Sequence, residues 1–136
     1  MVEFAVAFGM LLSVFAGVFQ FGYTFYQYNM LESAVRDGAR YGSLAQFDGG
    51  SWGGANFTTR VRQMVMYGNP NASSGTRVVP NLTPANITVT PTYNGIVPTR
   101  ITVQIDDFAI NAFFTTFTLN SKPRVTFDYM GQFTVP

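Results

Sequence analysis

The sequence predicts an α+β protein: a long N-terminal apolar helix followed by a small head with one short helix and a roughly three-stranded antiparallel sheet. Residues 4–31 contain no charged side chain. A later segment carries apolar residues at helical spacing, and three others alternate apolar and polar residues with the period of a strand. We expect residues 1–45 to form a membrane helix, residues 46–55 a glycine-rich linker and residues 56–136 a globular head.

The apolar stretch is long enough to cross a bilayer as a helix. Twenty-eight residues at about 1.5 Å rise each would reach roughly 42 Å, and about 20 apolar residues suffice for the hydrocarbon core. A secretory signal has a basic leader and a shorter apolar region. No Lys or Arg precedes this stretch. We therefore expect the apolar segment to remain part of the protein as a helix, and not to be cleaved off as a signal peptide.

Charged residues directly after the stretch predict where the helix enters water. Glu32 and Arg36 are spaced i,i+4, and Asp37 and Arg40 are spaced i,i+3, which places each pair on one helix face. Exposed pairs of this kind contribute only about 0.3–0.5 kcal/mol each to stability. They are informative because they mark where the helix leaves apolar surroundings. We expect the helix to end between residues 42 and 45.

Small residues follow one row of the apolar helix at i,i+4 intervals: Ala5, Gly9, Ser13 and Gly17. Such a row lets two helices approach closely. Glycine is also common in membrane helices for no specific reason, and the sequence leaves both interpretations open.

The head begins with a short amphipathic helix. Asn56 is the predicted N-cap, Arg60 and Arg62 are predicted to face outward, and Gly68 ends the helix. Its apolar stripe consists of Phe57, Val61, Met64 and Val65.

Three half-buried antiparallel strands follow, over residues 87–91, 101–105 and 124–129. Asn94 and Gly95 predict a turn between the first two strands. The aromatic segment from Phe108 to Leu119 is interpreted as a short helix or an irregular loop that covers the sheet.

Composition excludes several functions. The net charge is +1 and charged residues are only 11% of the chain, so there is no electrostatic basis for nucleic-acid binding. The chain has neither cysteine nor histidine, so a disulfide, a thiol nucleophile and an ordinary zinc site are excluded. The adjacent carboxylates of Asp106 and Asp107 provide fewer oxygen ligands than a calcium ion takes. The Asn-x-Ser/Thr pattern occurs four times, but it arises by chance too often in a chain rich in Asn and Thr to indicate glycosylation. We predict no enzyme, no metal and no cofactor.

Glu3 is the most informative single residue, because a carboxylate at the end of an apolar helix is costly unless it is paired or hydrated. One interpretation is an acid that interacts with the helix macrodipole, worth about 0.3–1 kcal/mol. The other is docking onto a positive group, most simply the α-amino group of a neighbouring copy. Both remain open from the residues alone.

The N-terminal third resembles a known family. The start Met1-Val2-Glu3-Phe4-Ala5, the apolar run, Phe21-Gly22 and the segment 28–41 (YNMLESAVRDGARY) are similar to TadE-like proteins, which are pilins and pseudopilins of the tight-adherence branch of type IV pili. The resemblance implies a precursor in the inner membrane of a bacterium or archaeon, cut by a prepilin peptidase and handled by a pilus assembly machinery. It also implies an extracellular filament on the cell surface.

The predicted function is a structural pilin subunit that polymerises with copies of itself, with Glu3 in subunit docking. The residues predicted to pack in the filament core are Phe4, Ala5, Phe8, Gly9, Leu12, Ser13, Phe15, Gly17 and Phe21. One alternative is a minor pilin or pseudopilin that primes assembly or secretion. Another is an unrelated single-pass membrane protein with a ligand-binding head.

Overall fold

The computed structural model describes residues 2–48, 55–95, 97–112 and 115–134. Most of the predicted glycine-rich linker, including Trp52, lies outside the described residues, as do Phe113 and Phe114. The elements, in chain order, are α1 (Val2–Leu44), β1 (Phe47–Asp48), α2 (Ala55–Tyr67), a 3-10 turn (Pro84–Asn86), β2 (Ile87–Asn94), β3 (Val97–Ile105), β4 (Phe108–Asn111), β5 (Thr116–Leu119), β6 (Arg124–Asp128) and β7 (Phe133–Thr134).

Helix α1 is a single helix of 43 residues, which corresponds to about 65 Å at about 1.5 Å per residue. It continues through Gly38 and ends at Leu44, as predicted. From residue 20 onward one side of the helix is buried, at Gln20, Gln27, Leu31, Ala34, Val35, Gly38, Ala39, Gly42 and Ser43. Steps of three, four and seven residues keep these positions on one face, so the upper part of α1 belongs to the core of the head.

The predicted three-stranded antiparallel sheet is confirmed, with the strand order β2-β3-β6. Ile101, Val103 and Ile105 of β3 are fully buried and alternate with polar residues, as the period of a strand requires. On the polar side, the Thr102 and Thr126 hydroxyls lie 3.0 Å apart across β3 and β6. The predicted turn at Asn94 and Gly95 is also present, with Gly95 at φ +66°.

Helix α2 packs against α1 where α1 has two glycines. A Cβ built on Gly38 would overlap the Val65 side chain, and one built on Gly42 would lie 3.2 Å from Val61 Cγ2. Val61 and Val65 are fully buried at this contact. Both glycines therefore serve close approach between the two helices, which is why a helix tolerates two residues of low helix propensity here.

A C-terminal strap, defined as residues 129–134, holds the upper end of α1. The Met130 amide donates to the Ser43 carbonyl over 2.8 Å, and the Tyr129 hydroxyl lies 2.8 Å from the Ala45 carbonyl. That hydroxyl also accepts from the Phe47 amide over 3.0 Å. Strand β7 then pairs in parallel with β1, so the segment that leaves α1 is fixed by residues from the far end of the head.

Three predictions for the head are wrong. Phe108 to Leu119 is neither a helix nor an irregular loop: β4 and β5 pair as an antiparallel hairpin, because Phe108 and Ile110 alternate with exposed residues and enter the core. Asn56 lies inside α2, which begins one residue earlier. Arg60 and Arg62 do not simply face solvent, since Arg62 Nε donates to the Ile87 carbonyl over 3.1 Å and Arg60 reaches the Gln46 carbonyl.

The glycine contact gives a direct test of this packing. We expect Gly38→Ala to lower the free energy of unfolding by about 1–3 kcal/mol, because an added methyl group in a filled contact forces side chains or helices apart. Gly22→Ala is the matched control, since a Cβ there meets nothing within 4 Å, and alanine favours helix by about 1 kcal/mol over glycine. Denaturant unfolding of the detergent-solubilised protein measures both. Equal loss of stability in the two variants would contradict the contact.

Candidate functional site: the uncovered N-terminal stem

The first 18 residues of α1 extend beyond the head as an apolar stem, defined as Val2–Phe19. Its large side chains are exposed, with Phe4 at 75% and Phe15 at 72%. Apart from Glu3 and Ser13 every stem residue is apolar or glycine. The helix is long and apolar enough to cross a membrane by length and composition, and its most apolar 18-residue window has no buried part. Exposed apolar surface on this scale marks a contact with lipid or protein.

The stem has two unlike sides. At about 100° per residue, Phe4, Phe8 and Phe15 lie within about 40° of one another, and the Phe4 and Phe8 rings stack with centroids 6.1 Å apart. The row of small residues, Ala5, Gly9, Ser13 and Gly17, runs along the opposite part of the circumference. That row is in line with Gln20, Gln27 and Leu31, which face the head. Leu12 lies between the two sides, and Phe21, just above the stem, points elsewhere and is exposed.

Ser13 has its polar group satisfied within the helix. Its hydroxyl donates to the Gly9 carbonyl over 2.9 Å, the back-bond that lets a serine lie in apolar surroundings. The small-residue side of the stem therefore presents no unsatisfied hydroxyl to a neighbour.

Glu3 lies in the first turn of α1 and is exposed. Among the ion pairs of the described residues, none includes Glu3. A carboxylate in this position has the favourable end of the helix macrodipole beside it, and it is accessible to a group from another molecule. The predicted docking role therefore stays a prediction.

The boundary between stem and head is set by polar side chains that the sequence analysis did not single out. Gln20 is 9% exposed, and its amide donates to the Thr115 hydroxyl over 2.7 Å. One heptad later, Gln27 donates to the Tyr23 hydroxyl over 2.7 Å. The available signal was a pair of glutamines seven residues apart in a stretch without charged side chains, because such amides need partners when buried.

The charged turn of α1 lies well above this boundary. Arg36 Nη2 is 2.8 Å from Glu32 Oε1, and both side chains are substantially exposed. The second predicted pair, Asp37 with Arg40, is not among the ion pairs of the described residues. Both side chains are exposed, and hydration competes with such a surface pair.

A groove beside α1 does not resemble a catalytic site. It encloses about 400 Å³ and is lined by Asp37, Arg40, Tyr41, Leu44, Ala45 and Met64. One carboxylate and one guanidinium on an apolar lining provide neither a nucleophile nor a base with an orienting partner.

Asp106 organises a loop of the head. Its carboxylate accepts hydrogen bonds from the Gln104 amide over 3.0 Å and from the Ser121 amide over 3.0 Å. Hydrogen bonds from Thr88, Gln104 and Ser121 lower the pKa of Asp106 from its ordinary value of 3.8, while partial burial acts in the opposite direction. Within the described part of the chain, no group of three or more acidic side chains could hold a metal ion. The carboxylate is occupied by the protein's own donors.

The four Asn-x-Ser/Thr motifs differ in accessibility. Asn86 is committed to the fold, because its side-chain amide donates to the carbonyls of Asp106 and Asp107 over 3.2 and 2.9 Å. Asn71 and Asn81 are exposed in the loop between α2 and the 3-10 turn, and Asn56 is exposed on α2.

The lowered pKa of Asp106 predicts a pH-dependent stability. Because the folded-state pKa is below the unfolded value, the contribution is complete above about pH 4 and is lost as the pH falls through the folded-state value. We expect Asp106→Asn to be less stable than the wild type at pH 7, by less than about 1 kcal/mol because solvent screens this carboxylate. The difference should shrink below pH 3.8. Thermal unfolding at several pH values measures it, with Ser74→Ala in the exposed loop as control; a pH-independent difference would contradict the assignment.

The comparison with known proteins finds a match for the part of the chain that contains the stem. Residues 1–40 match a family model described as TadE-like protein. Searches of curated proteins and of solved structures found no match. The matched segment contains the stem, the polar boundary at Gln20 and the charged turn through Arg40. The first 40 residues of this chain are thus a TadE-like region, and the resemblance inferred from the residues is confirmed for them.

Proposed function

We propose that this protein is a structural pilin subunit that polymerises through its stem into an extracellular type IV-like pilus. The TadE-like region and the membrane-capable helix fit a pilus-associated, pilin-like protein. The observation that carries the finer proposal is the stem itself, a fully formed apolar helix with no covering from its own head. Outside lipid, such a surface requires other protein to cover it.

The energy of covering the stem exceeds that of any contact between charged groups on the same helix. A cylinder about 11 Å across and about 27 Å long has roughly 900 Å² of lateral surface. At about 25 cal/mol per Å², removing it from water is worth about 20 kcal/mol before ordering costs. An exposed ion pair such as Glu32–Arg36 contributes below about 1 kcal/mol. Once the stem has left lipid, this term opposes its exposure to water and exceeds any contribution of surface charges.

The two sides of the stem support an open polymer. The phenylalanine side of one copy is complementary in shape to the small-residue side of another, since rings fill the space left by Gly9 and Ala5. A contact between unlike sides is heterologous, and such contacts continue into helical filaments unless the rotation closes a ring.

Glu3 has its proposed role at the moment of docking. A stem that moves from lipid to protein surroundings carries this carboxylate into a bundle of apolar helices. Pairing with a positive group of a neighbouring copy, most simply its α-amino group, would remove the cost of burying the acid alone. The prepilin peptidase and assembly machinery that the family implies act before this step.

The alternative of a minor pilin or pseudopilin uses the same membrane-inserted stem. Only quantity separates it from the main proposal: a major subunit dominates surface material sheared from cells, and a priming subunit stays in the membrane fraction.

We expect Glu3→Gln to abolish or strongly reduce surface filaments while leaving the protein in the membrane fraction, because the stem keeps its apolar surface and loses its charge. Glu32→Gln is the matched control: the same substitution in the same helix, at an exposed ion pair, should leave filaments intact. Electron microscopy of sheared material and immunoblots of membrane fractions provide the readouts. Normal filaments from Glu3→Gln would remove the docking role.

A bulky residue on the small side of the stem tests the contact between unlike sides. We expect Gly9→Leu to prevent filaments without changing the head, since a Cβ at Gly9 meets nothing within 4 Å in the single chain. Met10→Leu, an exposed exchange of similar volume on another side, should assemble normally. Circular dichroism of the purified variants and filament counts provide the comparison. Filaments of normal number from Gly9→Leu would exclude close packing at this row.

A further inference from the structure

The hairpin of β4 and β5 has an unusual composition for an exposed element. Residues 108–119 contain four phenylalanines and no charged side chain. The nearest charges, Asp106, Asp107 and Lys122, flank the end of the hairpin where its two strands meet the rest of the head. The hairpin itself therefore carries no charge, and the nearest charged residues lie just outside it, at its base.

The far end of the hairpin lies at the boundary between stem and head. Thr115, which directly precedes β5, accepts the 2.7 Å hydrogen bond from Gln20, the first residue above the stem. Below this level the stem extends about 27 Å, close to the roughly 30 Å of a bilayer's hydrocarbon core. A stem that spans the bilayer therefore brings this end of the hairpin to the membrane surface.

Phe117 extends the apolar side of the hairpin beyond the core. It is paired with Ile110 and so shares the face on which Phe108 and Ile110 are buried, at 3% and 1% exposure. Phe117 itself is 41% exposed. Phenylalanine is one of the apolar side chains that surface-bound elements bury at the boundary between lipid head groups and acyl chains, and a ring half uncovered by protein at this height can reach that boundary.

We infer that the β4–β5 hairpin is a second membrane contact, in which Phe117 rests in the interfacial layer of the bilayer beside the stem. Lipid fits this surface because the hairpin is continuous with the membrane-spanning segment and carries its charges only at the end away from it. The contact rests on the proposed membrane-inserted stage, and it holds the head at a fixed height above the bilayer before assembly.

Tryptophan fluorescence in vesicles tests this contact. The full chain with Trp52→Phe as background is reconstituted into phosphatidylcholine vesicles with bromine at defined acyl-chain depths, and Phe117→Trp reports on the hairpin. We expect its emission to be quenched most by bromine near the head-group end. Phe15→Trp in the stem should be quenched by deep bromine. Tyr93→Trp should not be quenched, because Tyr93 packs against Phe47, just beyond the end of α1 at Leu44, which lies about 36 Å along the helix from Gln20.

The three reporters separate the possible failures. A quenched stem with an unquenched hairpin would overturn the membrane contact while leaving membrane insertion intact. An unquenched stem would remove the membrane-inserted stage itself. Emission at Phe117→Trp that changes with protein-to-lipid ratio, independently of bromine, would place the hairpin against a second copy and would also overturn the inference.

A second label guards against a damaged hairpin in the tryptophan variant. The chain has no cysteine, so Phe117→Cys provides a unique attachment point for a nitroxide on the face that is proposed to meet lipid. In vesicles we expect oxygen, which concentrates in lipid, to relax this spin label more than a label attached at Ser74→Cys in the exposed loop. Equal accessibility of the two labels to a water-soluble relaxant would contradict the contact.

Discussion

Helix α1 is one continuous helix whose two parts lie in different surroundings. The upper part of α1 is a core helix: Leu31, Val35 and Ala39 are fully buried against α2 and the sheet. The lower part has no such cover from the residues that the structure describes, so its apolar surface requires lipid or another protein surface. Since the backbone passes from one regime to the other without a break, the position of the head along α1 decides how much apolar helix is left to be covered from outside.

The head is fixed on α1 by close contact and by the strap. Gly38 and Gly42 let α2 approach to the point where valine side chains fill the contact. The strap then ties residues 43–47 to the C-terminal segment through Tyr129 and Met130. At the lower boundary, the hydrogen bond from Gln20 to Thr115 joins the head to α1. A head held at both ends presents its stem in a defined orientation.

Local periodicity explains what could be predicted from the sequence. The apolar run, the stripe of Phe57, Val61 and Val65, and the alternation in the three central strands each repeat within a few residues, and each gave the correct element. The positions of Glu3 and of the charged turn followed from charges at the two ends of the apolar run, and the family match covers residues 1–40.

The features that the sequence did not reveal depend on distant partners. Strands β4 and β5 are four residues each, too short for alternation to outweigh aromatic content. The pairing of β1 with β7 joins two-residue strands that carry no periodic signal. The role of Gly38 is visible only when Val65 is placed against it, and Arg62 finds its carbonyl partner only once α2 lies beside β2.

The parallel pairing of β1 with β7 has a consequence for biogenesis. Phe47 pairs with Phe133, so the segment next to the helix is completed by residues that are synthesised only after strands β2 to β6. During synthesis, α1 emerges and becomes available for insertion while its future core partners do not yet exist. A bilayer that takes up the stem at this stage would cover its apolar surface before the head can close.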